Sequence, residues 1–207
     1  MTARRGKGQV DAYQSQAGES IPPGSERIEV HVEQLDQLFN SWDPSPFRKK
    51  DLDRDAEEFI VGWAREAPRN APLALLVYVD RGAGHEVSEV LREAVREFFG
   101  ARARSTRQRL RELFRVGRIS LVIGLLALAV LTGAGDAIAS ALSDGRLGDL
   151  LRESLVIGGW VAMWRPLEIF LYDWWPILSE ARLYDRLSAM TVRIADPADH
   201  SHELILR

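Results

Sequence analysis

Apolar residues recur along this chain in three rhythms, and each rhythm predicts a different element. In RIEVHV, Ile28, Val30 and Val32 alternate with Glu29 and His31, the period of a half-buried strand over 28–32. EQLDQLF predicts a short helix, and NSWDPSPF a loop, because Pro44 and Pro46 restrict the residues before them. In DLDRDAEEFIVGWARE the apolar positions 52, 56, 59, 60, 63 and 67 recur at threes and fours. Acids crowd the first turn, where they complement the helix dipole, so 51–66 reads as an amphipathic helix. LALLVYV, residues 73–79, is apolar throughout and reads as a central strand covered on both faces. Strand, helix and strand joined by short links predict a right-handed βαβ unit.

From Glu86 the helical rhythm returns, with Val87, Leu91, Ala94, Val95, Phe98 and Phe99 on one face. No proline interrupts the chain before Pro166, so one long helix runs into ISLVIGLLALAVLTGA, residues 119–134, which carry no charge. About 20 apolar residues cross a bilayer core, and continuing past Asp136 through AIASAL supplies that length. A second apolar run, 155–164, reaches spanning length by continuing to Trp175. The expectation is a transmembrane hairpin of about 119–139 and 153–175, followed by a return helix and a last strand, MTVRI at 190–194.

Charge sharpens this picture. The stretch 101–118 holds seven arginines (Arg102, Arg104, Arg107, Arg109, Arg111, Arg115 and Arg118) against Glu112. The loop between the apolar runs holds three acids against two arginines. Arginine excess beside one end only is the positive-inside pattern, which predicts two passes with both termini and the folded domain cytoplasmic. The same arginines are candidate contacts for anionic lipid headgroups. They surround a helix without interleaved stacking aromatics, so no nucleic-acid partner is expected. The net charge of −3 agrees, and a mean hydropathy of −0.16 requires a polar domain beside the apolar runs.

GGWVAMWRPLEIFLYDWW, residues 158–175, places three charges and a proline in the second run. Counting from residue 150 at 1.5 Å per residue, Arg165 lies roughly 23 Å in, past the bilayer centre. Arg165 and Glu168, at i,i+3, pair on one face, and Pro166 kinks the helix. Trp174 and Trp175 are expected as interfacial anchors. Intramembrane charges face protein, water or headgroups, so Arg165, Glu168 and Tyr172 form the candidate polar site. Gly158 with Ala162, Ala129 with Gly133, and Gly133 with Ala137 have the small-xxx-small spacing of close helix packing.

The chemistry of other classes is missing. With no cysteine there is no disulfide framework, thiol nucleophile or Cys-ligated metal. No phosphate loop follows a strand, and no serine sits in a GxSxG elbow. DHSHE at 199–203 reads as solvated tail, and the acids of DLDRDAEE as a helix cap. No catalytic residue, cofactor or metal is therefore expected. The N-terminal 26 residues are polar, lack the apolar region of a signal peptide, and read as a disordered tail; 196–207 reads as a second one.

WDPSPFRKKDLDRDAEEFIVGWAREAP, together with ESLVIGGWVAMWRPLEIFLYDWWPI, resembles uncharacterised small bacterial membrane proteins with two transmembrane helices. The resemblance runs from about residue 27 to 194 and implies an inner-membrane protein with a cytosolic domain. It brings no activity or site residues. The expected fold is α+β: a small three-stranded mixed sheet with a βαβ unit, its last strand antiparallel to 73–79, interrupted by the hairpin. Segments 27–118 and 176–195 form the cytosolic domain, and 119–175 the hairpin. The expected role is a non-enzymatic scaffold or regulator that binds membrane lipids and either a protein partner or its own copies. The alternative is an oligomeric channel or transport component with Arg165 and Glu168 at a pore or subunit interface.

Overall fold

The computed structural model describes residues 21–40, 51–79, 85–142 and 145–195. Most of the expected N-terminal tail, all but Asn40 of the expected loop NSWDPSPF, and the tail from 196 lie outside these residues. Within the expected tail, residues 22–25 form a turn: Ser25 N donates to Pro22 O at 3.2 Å, and Gly24 takes φ 82°. That left-handed conformation suits a residue without Cβ.

The described residues divide between two compact units, one within Met1–Ala103 and Arg182–Arg207, the other Arg104–Ala181. The first is built on a sheet. Strands β1 (Glu26–Val32), β2 (Leu73–Val79) and β3 (Thr191–Ala195) lie in that order, and both pairings are parallel. The mixed helix and strand class is as expected. The mixed sheet and the antiparallel last strand are corrected: Ala74 faces Thr191 and Tyr78 faces Ala195 in parallel register. The reason lies at the end of the returning helix, Trp174–Ser188. Arg186 Nη2 donates to Pro68 O at 2.9 Å and to Ala71 O at 3.0 Å, in the link that leads into β2. The helix therefore stops at the edge where β2 begins, and the chain enters β3 from that same edge. An antiparallel strand requires the helix to run the length of the sheet first.

Helix α1 (Arg54–Glu66) crosses from β1 to β2 after a 3-10 turn, Leu35–Leu38. Its cap is Asp53, whose carboxylate accepts from Asp55 N at 3.0 Å. An antiparallel bridge between Phe39 and Leu52 precedes it. Helix α2 (His85–Ala141) begins at His85, one residue before the helical rhythm read from Glu86. Ile60, Val61 and Ala64 of α1 share one core with Leu91, Val95, Phe98 and Phe99 of α2 and with Leu73, Leu75, Val77 and Val79 of β2. Two crossovers of one hand, in a sheet ordered β1-β2-β3, place both helices on the same face. The opposite face of β2 is also covered. Leu76 and Tyr78 pack with Ile21, and the His31 ring stacks on Tyr78 at 4.5 Å and 13°. All seven β2 residues are buried, as a central strand apolar throughout requires.

The second unit is helical. It contains α2 from Arg104, then α3 (Arg146–Ala162), α4 (Trp164–Glu168), a π-helical segment (Ile169–Asp173) and the first half of α5 (Trp174–Ser188). Helix α3 ends at Ala162 because Pro166 has no N–H for that carbonyl and its ring collides with it. The break expected at Pro166 thus falls one turn earlier.

Candidate functional site

Arg165, Glu168 and Asp173 of the helical unit gather where the second apolar run loses its regular pitch. Arg165 Nη1 lies 2.8 Å from Glu168 Oε2 and 3.3 Å from Asp173 Oδ2. The first contact is the expected i,i+3 pair. The second joins residues eight apart, a spacing that does not announce a contact. In an unbroken α-helix residue 173 stands about 80° round from residue 165, at ~100° per residue. The π-helical segment between them, with roughly 4.4 residues per turn, takes back nearly all of that angle and brings Asp173 under Arg165. Two carboxylates thus converge on one guanidinium, all three partly exposed. Tyr172 is 70% exposed, on the outside of the same segment.

The expected anchors Trp174 and Trp175 touch, their ring centroids 4.7 Å apart, but differ in exposure. The Trp174 ring packs against Phe114 at 6.3 Å, and its indole N–H donates to Phe170 O at 2.9 Å, while Trp175 is 61% exposed. The expected headgroup arginines separate. Arg102 belongs to the sheet unit, where it pairs with Glu57 at 2.7 Å and lies over the Phe98 ring, 5.1 Å from its centroid. Arg115 pairs with Glu112 at 3.4 Å. Arg104 and Arg107 have partners, and Arg109, Arg111 and Arg118 are exposed.

Close contacts between α2 and the return path run in opposite chain directions: Ala139 with Gly148, Gly135 with Arg152, Leu128 with Gly159, Gly124 with Ala162, Gly117 with Ile169. The glycines at these crossings are not the expected ones. Around Gly133 nothing lies within 4 Å of an added Cβ, and at Gly158 the nearest atom is Leu131 Cδ1 at 3.8 Å, an ordinary contact. A Cβ on Gly124 meets Ala162 O at 3.0 Å, so this glycine leaves room for the carbonyl that Pro166 deprives of a donor. An ion pair missed by sequence reading, Arg152 Nε to Asp136 Oδ1 at 2.6 Å, joins the two helices near their connection.

In the sheet unit a cleft of about 650 Å³ lies beside α1, lined by Leu52, Val61, Phe98 and Tyr184 together with Arg54, Arg65 and Arg102. Glu58 accepts a hydrogen bond from Arg54 Nε at 3.0 Å; that bond first, and the carboxylate charge second, raise the Arg54 pKa above its ordinary value. Among the described residues, no three His, Asp or Glu side chains gather in a way that holds a metal ion.

Two helical stretches, Ser88–Ala141 and Arg146–Ser188, are long and apolar enough to cross a membrane, and the most apolar windows are only 11% and 22% buried. A core helix of a soluble protein is mostly buried instead. Compared with known proteins, the chain matches no family model, no curated protein and no solved structure.

Proposed function

We propose that this chain is a two-pass integral membrane protein, held by a hairpin of α2 and the path through α3 to Trp175, with the sheet unit and both termini in the cytoplasm. The observation that carries this reading is the surface of the helical unit. Of the twenty-one exposed large hydrophobic side chains among the described residues, nineteen lie between Val116 and Trp175. At about 100 Å² left open on each they expose about 2,000 Å², several times the roughly 300–600 Å² of the largest apolar patch on a soluble monomer. Lipid is the solvent that accepts such a surface. The arginines of 101–118 supply the positive-inside end.

Within that frame the protein acts as a non-enzymatic scaffold or regulator, its sheet unit binding a partner at the membrane surface. Arg165 is paired by both Glu168 and Asp173 within its own helical stretch, so the guanidinium needs no pore or neighbouring subunit for a counter-charge, and the one carboxylate charge left over lies on the side toward the cytoplasmic boundary. This favours the scaffold over a channel. Tyr172 and Trp175 face outward at the cytoplasmic boundary and serve as anchors.

The absence of native cysteine makes the test direct. Two single-cysteine variants are made, Ser25→Cys just ahead of β1 and Gly145→Cys in the connection between the apolar runs. The protein is expected to resist alkaline extraction from membranes. The thiol at position 145 is expected to react with an impermeant maleimide on intact spheroplasts, and the thiol at position 25 only after lysis. Release into the supernatant at high pH refutes the membrane reading, and reversed labelling refutes the orientation.

A further inference from the structure

Helix α1 breaks two rules on one face. Opposite its core stripe of Ile60, Val61 and Ala64, it exposes Phe59 (44%) and Trp63 (53%), whose rings lie 6.3 Å apart. They are the only exposed large hydrophobics in the sheet unit among the described residues. Gly62, in the helix interior, borders this face on the side of the neighbouring cleft, with nothing within 4 Å of an added Cβ. An interior glycine costs about 1 kcal/mol relative to alanine, and no packing inside the protein accounts for it. Two stability costs on one exposed face, neither compensated within the fold, mark a surface kept for contact. Aromatic anchors beside a backbone bared by glycine form the centre of such a contact.

The charges around the centre select the occupant. Asp55 stands one turn before Phe59 and Glu66 one turn after Trp63, both exposed, while Glu58 lines the neighbouring cleft. Glu58 is engaged by Arg54; among the described residues neither Asp55 nor Glu66 has a salt bridge within 4 Å, and the Asp55 charge acts on Arg54 only weakly, behind that of Glu58. The arginines of the helix, Arg54 and Arg65, line the cleft on the neighbouring flank. Two copies meeting through this face oppose carboxylates to carboxylates, and an anionic bilayer meets the same repulsion. A guanidinium or ammonium group fits well, since it stacks on the ring faces and pairs with the carboxylates. We infer that the Phe59–Trp63 face of α1 is a docking surface for a protein partner presenting a basic amphipathic segment, an apolar side chain flanked by Arg or Lys.

This inference deepens the scaffold reading and rests on it, but it does not depend on the membrane topology. The test uses the full chain labelled with 5-fluorotryptophan in nanodiscs of zwitterionic lipid. The ¹⁹F resonance of Trp63 is assigned by its disappearance in Trp63→Phe. The probe is a fourteen-residue helical peptide with a leucine stripe flanked by lysine and arginine; the control carries glutamate at the flanking positions. The basic peptide is expected to shift the Trp63 resonance saturably below roughly 1 mM, and the acidic one to leave it in place. Asp55→Asn with Glu66→Gln, both exposed and conservative, is expected to weaken binding about tenfold or more. Equal shifts by both peptides, no shift by either, or indifference to the neutralised carboxylates overturn the inference. A shift that grows with protein concentration alone assigns the face to a second copy and overturns the choice of partner. None of these outcomes bears on alkaline extraction, so the two readings fail separately.

Discussion

At the residue scale, glycine has opposite meanings at positions that look alike in the sequence. A Cβ on Gly159 falls 2.7 Å from Leu128 Cδ1 and 3.1 Å from Leu128 Cα, whereas one on Gly133 enters open space. The leucine side chain can turn away, but the backbone atom cannot. Gly159→Val is expected to lower stability by roughly 1–3 kcal/mol, and Gly133→Val to leave it within about 0.5 kcal/mol. Thermal unfolding in detergent checks both, and equal effects disprove the contact geometry. The small-xxx-small rule selected Gly133 because spacing along one helix says nothing of which face meets the partner helix. Arg165 with Glu168 was legible, since i,i+3 is a contact in any α-helix. Asp173 was not, because its contact depends on the altered pitch.

At the element scale, the strands were the most legible part. The alternation in 28–32 and the apolar run at 73–79 lie within β1 and β2, because a side-chain period is a local property. The expected helix from 51 begins at Arg54, because Asp53 gives its side chain to the cap and its N–H to Leu38 O, and Asp51 O accepts from Asn40 N, in the bridge that pairs Leu52 with Phe39. The π-helical segment left no such trace. It holds one residue more than the α-helix it interrupts, and it keeps the flanking faces in phase. Deleting Leu171, whose side chain is 55% exposed, is expected to convert Ile169–Asp173 into ordinary α-helix with little loss of stability. Deleting Ile157 in α3 is expected to rotate everything beyond it by about 100° and destroy the pairing with α2. Yield of monodisperse protein and melting temperature compare the two. Equal damage from both deletions means the π pitch itself is needed for folding.

At the scale of the whole molecule, the chain is a three-stranded βαβαβ sheet whose second crossover carries a helical insertion. Phe99 of α2 stacks on Tyr184 of α5 at 6.3 Å within the sheet unit, so the helix segments that frame the insertion are neighbours there. Arg186 fixes the returning end to the entrance of β2 through two carbonyls. Replacing 104–181 by a short Gly/Ser linker is therefore expected to yield a soluble, cooperatively folding sheet unit. Sedimentation and dispersed amide NMR signals check this. A molten or aggregated product places part of the folding information in the helical insertion.

The sequence by itself determined what depends on near neighbours: two strands, the amphipathic helix, the length and polarity of the apolar runs, the arginine excess at one end, and the Arg165–Glu168 pair. Period, charge and spacing are properties of a chain segment, and they survive whatever the segment packs against. Only the tertiary structure decided the direction of β3, the glycines at which the helices cross, the approach of Asp173 to Arg165, and the exposure of Phe59 and Trp63. Each depends on where a distant part of the chain comes to rest. The last strand is the clearest case. A run such as TVRIA pairs in either direction, and its direction here follows from the edge of the sheet at which α5 ends.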